Sequence, residues 1–367
     1  MNVRHALWAA LLCGCADDPA AISPEWRWEL PGGFPEPFVP PDNPMTAEKV
    51  ALGELLFFDD RLSWNESLSC GSCHDPALAF SDERALPVGS ADETLPRNSM
   101  SLLGAAWVAP YTWANPVLET LEQQALVPLF ADAPVEIGLQ RDTAAILARL
   151  AGDAELADAF ASAFPDDDDP INTASVVAAL ASYQRTLIGG DSAYDRLAYG
   201  GEADALSPAA LRGMDLFFSE RTECYHCHGG FLFTVAFRSA DQPGVAAAFF
   251  NNGLYDVGGT GNYPAGNQGL FEFTGQPGDR GKFRPPSLRN VAITGPYMHD
   301  GSIATLEEVI AHYMAGGRNL EDGPNAGDGR AHPNKDSLVA PRDLSADEQA
   351  DLVAFLRALT DARYVAG

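Results

Sequence analysis

The chain has 367 residues, 46% of them hydrophobic, and a formal net charge of −28. That length suits two domains, each with a core of its own. The acidic balance excludes nucleic acid as a partner, because phosphate backbones are met by a basic footprint; it favours solubility and, at most, the steering of a basic protein.

Residues 1–15 carry one arginine, Arg4, then a short apolar run ending in Leu12-Cys13-Gly14-Cys15. This reads as an export signal, since the run is too short to span a membrane. Its end matches a lipoprotein box with Cys15 as the lipidated residue, although Cys13 inside the box leaves simple cleavage and release open. The expected location is the periplasm, with a lipid anchor as an option. Residues 16–45, with Trp26, Trp28 and the stretch from Pro31 to Pro44, read as a Pro-rich tether. Two domains are expected after it, at residues 46–195 and 196–367.

Each domain opens in the same way. Thr46 to Phe58 and Ser207 to Phe218 both read as capped amphipathic helices ending in Leu-Phe-Phe. Ser207-Pro208 adds a proline at the first helical turn. Beyond each helix stands a C-x-x-C-H motif: Cys70-Gly-Ser-Cys73-His74 and Cys224-Tyr-His-Cys227-His228. This spacing is the signature of c-type haem attachment, and chance would supply about 0.002 such motifs in a chain of this composition. The paired thiols form thioethers to the porphyrin vinyl groups, and the adjacent histidine falls beneath the iron. A zinc site would pool its ligands, whereas these motifs lie far apart. Two of the six cysteines lie in the leader and the other four in the motifs, so none remains for a structural disulfide. Two covalently bound haem c groups are the expected cofactors.

Further helices are expected over Asp142 to Leu150 and Ile171 to Leu187, and from the capping boxes at Thr305 and Ser345. The segment from Gly189-Gly190 to Gly200-Gly201 reads as the connection between domains. Strand signals are few. The expected fold class is mainly α, with two tandem cytochrome c-like haem domains and long loops.

The sixth ligand of each iron decides its chemistry. The seven histidines are His5, His74, His226, His228, His299, His312 and His332, and none lies between His74 and His226. Unless His299 or another remote group reaches it, the first haem keeps an open position for peroxide. A proton-moving group is then needed. Glu136, in Pro134-Val-Glu-Ile-Gly138, is the candidate, against its reading as an ordinary surface glutamate. On the helix from Thr305, Leu306, Val309, Ile310 and Tyr313 share an apolar face, with His312 toward the polar side. Tyr313 is thus a candidate ligand for the second haem, with core packing as its alternative and Met298 as its rival.

The two C-x-x-C-H motifs, Arg97-Asn-Ser, Tyr111-Thr-Trp113, Leu121-Glu-Gln-Gln-Ala, Phe283-Arg-Pro-Pro-Ser-Leu-Arg-Asn290 and Gly295-Pro-Tyr-Met-His-Asp-Gly-Ser302 recur in the same order in one family. Over residues 45 to 360 the chain resembles the bacterial dihaem cytochrome c peroxidase and MauG family. The missing distal histidine and Tyr313 in place of a methionine resemble the MauG-like branch. Pro24-Glu-Trp-Arg-Trp, Leu30-Pro-Gly-Gly-Phe and Tyr111-Thr-Trp-Ala-Asn-Pro116 look nearest to its MbnH-like members.

The resemblance implies roles. Cys70, Cys73 and His74 would hold a peroxide-reacting haem, and Cys224, Cys227 and His228 a storage haem with Tyr313 opposite His228. Trp113 would relay charge between them. Glu136 would be the acid–base residue, with Gln124 in the same pocket. The Asn98 side chain and the carbonyls of Thr294 and Pro296 would bind calcium, which suits oxygen donors. The implied reaction is oxidation by hydrogen peroxide of a periplasmic protein, at a tryptophan, through long-range electron transfer. Two alternatives stand beside it: a peroxidase fed by a small electron-donor cytochrome, and a non-enzymatic electron carrier. Ala114-Asn115-Pro116 departs from the Asp-Gly-Arg that often follows this tryptophan in the peroxidases.

Overall fold

The structure is a computed structural model describing residues 26–245 and 248–364. The leader and Cys15 lie outside the described residues. Ten α-helices, many short 3-10 turns and one two-stranded hairpin make up the described chain. It is mainly helical with long loops, as the sequence predicts.

The N-terminal half is built on α1 (Ala47–Phe57), α2 (Leu121–Phe130), α3 (Thr143–Ala151), α4 (Ala154–Ala163) and α5 (Thr173–Arg185). Thr46 caps α1 by accepting from Lys49 N, and Asn172 caps α5 by accepting from Ser175 N. Leu52, Leu56, Phe57, Ile146, Phe160, Val176 and Leu180 are buried in one cluster among these helices. The C-terminal half follows with α6 (Ala193–Ala198), α7 (Pro208–Phe217), the single turn α8 (Phe271–Thr274), α9 (Leu306–Met314) and α10 (Ala346–Arg357), plus the hairpin of β1 (Asn319–Leu320) and β2 (Gly327–Asp328). Phe217, Ile310, Leu352 and Phe355 centre its own cluster.

The two halves share a construction detail. A Cβ on Gly53 of α1 would lie 2.0 Å from the Ala179 carbonyl of α5, and one on Gly213 of α7 would lie 1.9 Å from the Asp351 carbonyl of α10. Each opening helix therefore crosses a later helix at backbone contact, which only glycine permits. Tyr183 and Phe355 close over these crossings. The crossings fix the end of each opening helix, and with it the start of the loop that carries the cysteines.

Three local readings differ from the structure. The described part of the Pro-rich stretch expected as a tether is docked on the body. Phe34 is buried against Trp107 and Phe231, and Trp107 Nε1 donates to the Pro35 carbonyl at 2.9 Å. Aromatic burial outweighs the extended preference of its prolines. The segment read as a connection contains α6, whose Ser192 and Asp195 form a capping box. Tyr194 packs that helix on the C-terminal cluster. His312, expected on the polar side of α9, is buried and its Nε2 bonds the Asn252 carbonyl at 3.0 Å. The loop through Asn252 covers that face of the helix, which periodicity cannot show.

Asp195 also holds Arg289 in a two-pronged pair at 2.8 and 2.9 Å, with side-chain exposures of 5% and 3%. Phe34 stacks over the same guanidinium at 4.5 Å. Asp195→Ala leaves a buried cation without its anion and is expected to cost about 3–5 kcal/mol. The midpoint of denaturant unfolding checks this.

Candidate functional site

Both C-x-x-C-H motifs fold alike. Cys70–Ser72 and Cys224–His226 are single 3-10 turns. His74 N bonds the Cys70 carbonyl at 3.0 Å, and His228 N bonds the Cys224 carbonyl at 2.9 Å. The turn thus brings both thiols and the imidazole to one side. Each ring is then oriented by its Nδ1: His74 donates to the Phe80 carbonyl at 2.9 Å and His228 to the Phe233 carbonyl at 3.0 Å. A carbonyl can only accept, so Nδ1 carries the proton and Nε2 keeps a bare lone pair. Burial lowers both histidine pKa values, that of His228 to about 4, so each ring is neutral. Burial pushes the Cys70 and Cys227 thiols up to about 12. None of the four is in a disulfide. Paired free thiols beside a neutral, oriented imidazole are the donor set that covalent haem requires.

Each motif opens on a cavity. The first, of about 420 Å³, is lined by Cys70, Cys73, His74, Trp113, Gln124, Glu136 and Arg284 among others. Among the described residues lining it, His74 is the one histidine. Glu136 sits on a strongly tethered loop. Val135 N bonds a Glu93 carboxylate oxygen at 2.8 Å, Ser90 N bonds the Glu136 carbonyl at 2.8 Å, and Ile137 N bonds the Pro128 carbonyl at 3.0 Å. Val135 and Ile137 are buried on either side. Alternation then turns the glutamate side chain toward the cavity, where burial raises its pKa from 4.5 to about 7. Gln124 reaches the same cavity from α2, whose start is fixed by a capping box between Thr120 and Gln123.

The second cavity, of about 190 Å³, is lined by Cys224, Cys227, His228, Tyr313, Met298 and His299 among others. Burial raises the Tyr313 phenol to about 12. The rival Met298 has its sulfur engaged by Asn252 Nδ2 at 3.3 Å. His299, considered as a remote ligand for the first haem, lines the second cavity instead, stacked on Phe283 at 3.7 Å.

Trp113 and Arg284 line both cavities. Trp113 is held by its Nε1, which donates to the Asn98 carbonyl at 2.9 Å. Arg284 lies in the Phe283–Asn290 motif, which gives it no role by itself. It is 3% exposed and donates to the Thr112 carbonyl at 2.8 Å, with no carboxylate partner among the described residues. Burial lowers its pKa to about 10. A buried arginine without a protein anion, facing two cavities, is the signal that marks it.

The remaining candidates are Asn98, Thr294 and Pro296, and Asn98 alone is tied to a segment of the other half. Asn98 Nδ2 donates to the Arg84 and Ala85 carbonyls, and Asn98 N donates to the His299 carbonyl. Its Oδ1 and the carbonyls of Thr294 and Pro296 accept no hydrogen bond among the described residues. They remain as oxygen donors of the kind calcium takes.

A family model for the di-haem cytochrome c peroxidase matches residues 47–203. The chain is 34% identical to the methylamine utilization protein MauG of Methylorubrum extorquens, over 96% of this chain and 93% of that protein. It is 30% identical to the cytochrome c551 peroxidase of Pseudomonas aeruginosa, over 73% of this chain and 72% of that one. Among solved structures, a MauG-like protein associated with microbial copper homeostasis superposes with a TM-score of 0.90 and 50% identity, covering 93% of this chain and 97% of that one. The diheme peroxidase BthA of Burkholderia thailandensis superposes at 0.69 with 26% identity, covering 92% and 94%.

Proposed function

Because the chain belongs to the di-haem cytochrome c peroxidase family, oxidoreductases that use hydrogen peroxide, we propose that it is a MauG-like member that oxidises a tryptophan of a partner protein at a distance. The observation that carries this is the pairing of unlike cavities. The first offers His74 and Glu136 with no second histidine, and the second offers His228 with Tyr313. When bound, the two haems supply the iron that accepts peroxide and holds the oxidising equivalents taken from it.

The chain's own residues do the rest. Cys70, Cys73 and His74 would hold one haem, and Cys224, Cys227, His228 and Tyr313 the other. Arg284 would pair with the haem propionates, the anions its burial calls for. Glu136, half ionised near neutrality, would take the peroxide proton from one oxygen and deliver it to the departing one. Gln124 would orient the same peroxide. Trp113, in the wall common to both cavities, would pass charge between them. Asn98, Thr294 and Pro296 would hold calcium and brace the Trp113 backbone contact. The export-type leader points to the periplasm, with lipid attachment at Cys15 as an optional anchor, and the net charge of −28 favours a basic docking partner.

The test gives the haem-loaded protein peroxide together with either of two probes. One is a reduced small cytochrome c, and the other is a basic, tryptophan-bearing protein of the periplasm. A changed mass at one tryptophan of the second probe is the expected result. Oxidation of the cytochrome alone would make the chain a peroxidase of the cytochrome-fed kind, the reading that its likeness to the cytochrome c551 peroxidase favours.

A further inference from the structure

Trp113 is the start of a buried aromatic path that runs along the wall of the second cavity and ends outside both. The His299 ring lies 6.5 Å from Trp113, and Phe283 is stacked on His299 at 3.7 Å. Tyr263 follows, 6.1 Å from His299 and 5.9 Å from Phe283, and Tyr255 lies 5.5 Å beyond Tyr263. Tyr263 and Tyr255 are only 2% and 4% exposed. Rings packed so closely through the molecule give an electron short steps.

The two tyrosines differ in what receives their proton. The Tyr263 hydroxyl donates to Asn251 Oδ1 at 2.9 Å. An amide oxygen cannot keep a phenol proton, so oxidation there leaves a charged ring in a buried site, which is costly. The Tyr255 hydroxyl donates to Asp300 Oδ2 at 2.6 Å. A carboxylate can keep that proton. The Arg318 guanidinium lies over the Tyr255 ring at 4.6 Å, so a positive charge on this ring is disfavoured. Electron loss at Tyr255 therefore goes with proton loss to Asp300, and the path ends there.

We propose that Tyr255, with Asp300 as proton acceptor, is an internal one-electron donor that drains an oxidising equivalent from Trp113 when no partner is docked. This rests on the peroxide reading above. Peroxide takes two electrons, and two protons from solvent by way of Glu136, to become two waters. One electron comes from the Tyr255 phenol by way of Tyr263 and Trp113, and its proton passes to the Asp300 carboxylate. The other electron comes from the haem pair. Tyr255 is left as a neutral phenoxyl radical, sheltered from solvent until an outside reductant returns the electron.

The experiment mixes the haem-loaded protein with peroxide and no partner, freezes it, and records electron paramagnetic resonance beside the haem optical spectrum. A tyrosyl signal is expected in the native protein. Loss of the signal is expected in Tyr255→Phe and Asp300→Asn, with the optical response to peroxide retained. Tyr199→Phe, at an exposed ring, is expected to keep the signal. A signal unchanged in Tyr255→Phe overturns the proposal, as does a native protein that responds optically and forms no tyrosyl radical. A native protein with no optical response to peroxide overturns the peroxide reading as well, which separates the two failures.

Discussion

Glu136→Gln is expected to slow the reaction with peroxide by about 10²–10⁴-fold, the usual contribution of a positioned acid–base group. Both haems should remain attached, because Glu136 lies on the loop at Pro134–Gly138 and the cysteines lie elsewhere. Glutamine fills the same space and keeps a polar head, so the loop bonds at Val135, Ser90 and Ile137 are undisturbed. What is lost is a group that can both take and give a proton. The pH dependence gives a second handle. Burial raises the Glu136 pKa from 4.5 to about 7. Below that value the carboxyl is protonated and cannot accept the peroxide proton; above it the carboxylate is available. The rate should therefore rise with pH through about 7 and level off, whereas Glu136→Gln should lack this step. Stopped-flow absorbance across a pH series measures both. A native-like rate and step in the variant would remove Glu136 from the chemistry.

Trp113→Phe is expected to separate the two halves electronically. Phenylalanine keeps an aromatic wall between the cavities but is harder to oxidise than an indole. The variant should still consume peroxide at the first cavity. Charge should reach the second about 10-fold more slowly or worse, a barrier increase of about 1.4 kcal/mol or more. Partner oxidation should fall with it. Loss of the Nε1 hydrogen bond to the Asn98 carbonyl adds a stability cost of about 1 kcal/mol. Rapid-scan spectra resolve the two steps, since the first haem band would change before the second. Simultaneous change at the native rate in both bands would mean that charge takes another route.

Which parts of this molecule are legible in the sequence follows from how local their causes are. The C-x-x-C-H motifs can be read because attachment chemistry fixes ligand spacing within one turn, and the structure shows that turn at Cys70 and at Cys224. The opening helices can be read because Thr46 and Ser207 cap them and Leu-Phe-Phe ends them. Glu136 is visible only as a glutamate among apolar neighbours; its pKa depends on burial by distant chain. Arg284 is not legible, because nothing nearby in sequence shows that it lines two cavities with no carboxylate partner among the described residues. Gly53 and Gly213 look like ordinary helical glycines until Ala179 and Asp351 arrive from far along the chain. Periodicity puts His312 on the polar side of α9 for the same reason, since the loop at Asn252 that covers it comes from far along the chain. The stretch before Met45 has the composition of a spacer, yet Phe34 finds a pocket formed by Trp107 and Phe231.

In the proposed function the two haem sites are chemically unequal: Tyr313 would ligate the C-terminal iron, and no second protein ligand would reach the N-terminal one. Low-temperature electron paramagnetic resonance of the fully oxidised, haem-loaded protein reads this directly. The expected spectrum contains one high-spin ferric centre, abolished by replacing Cys70 and Cys73, and one low-spin centre that changes character in Tyr313→Met. Two low-spin centres in the resting protein, with the N-terminal one carrying two nitrogen ligands, would mean that no site is left for peroxide.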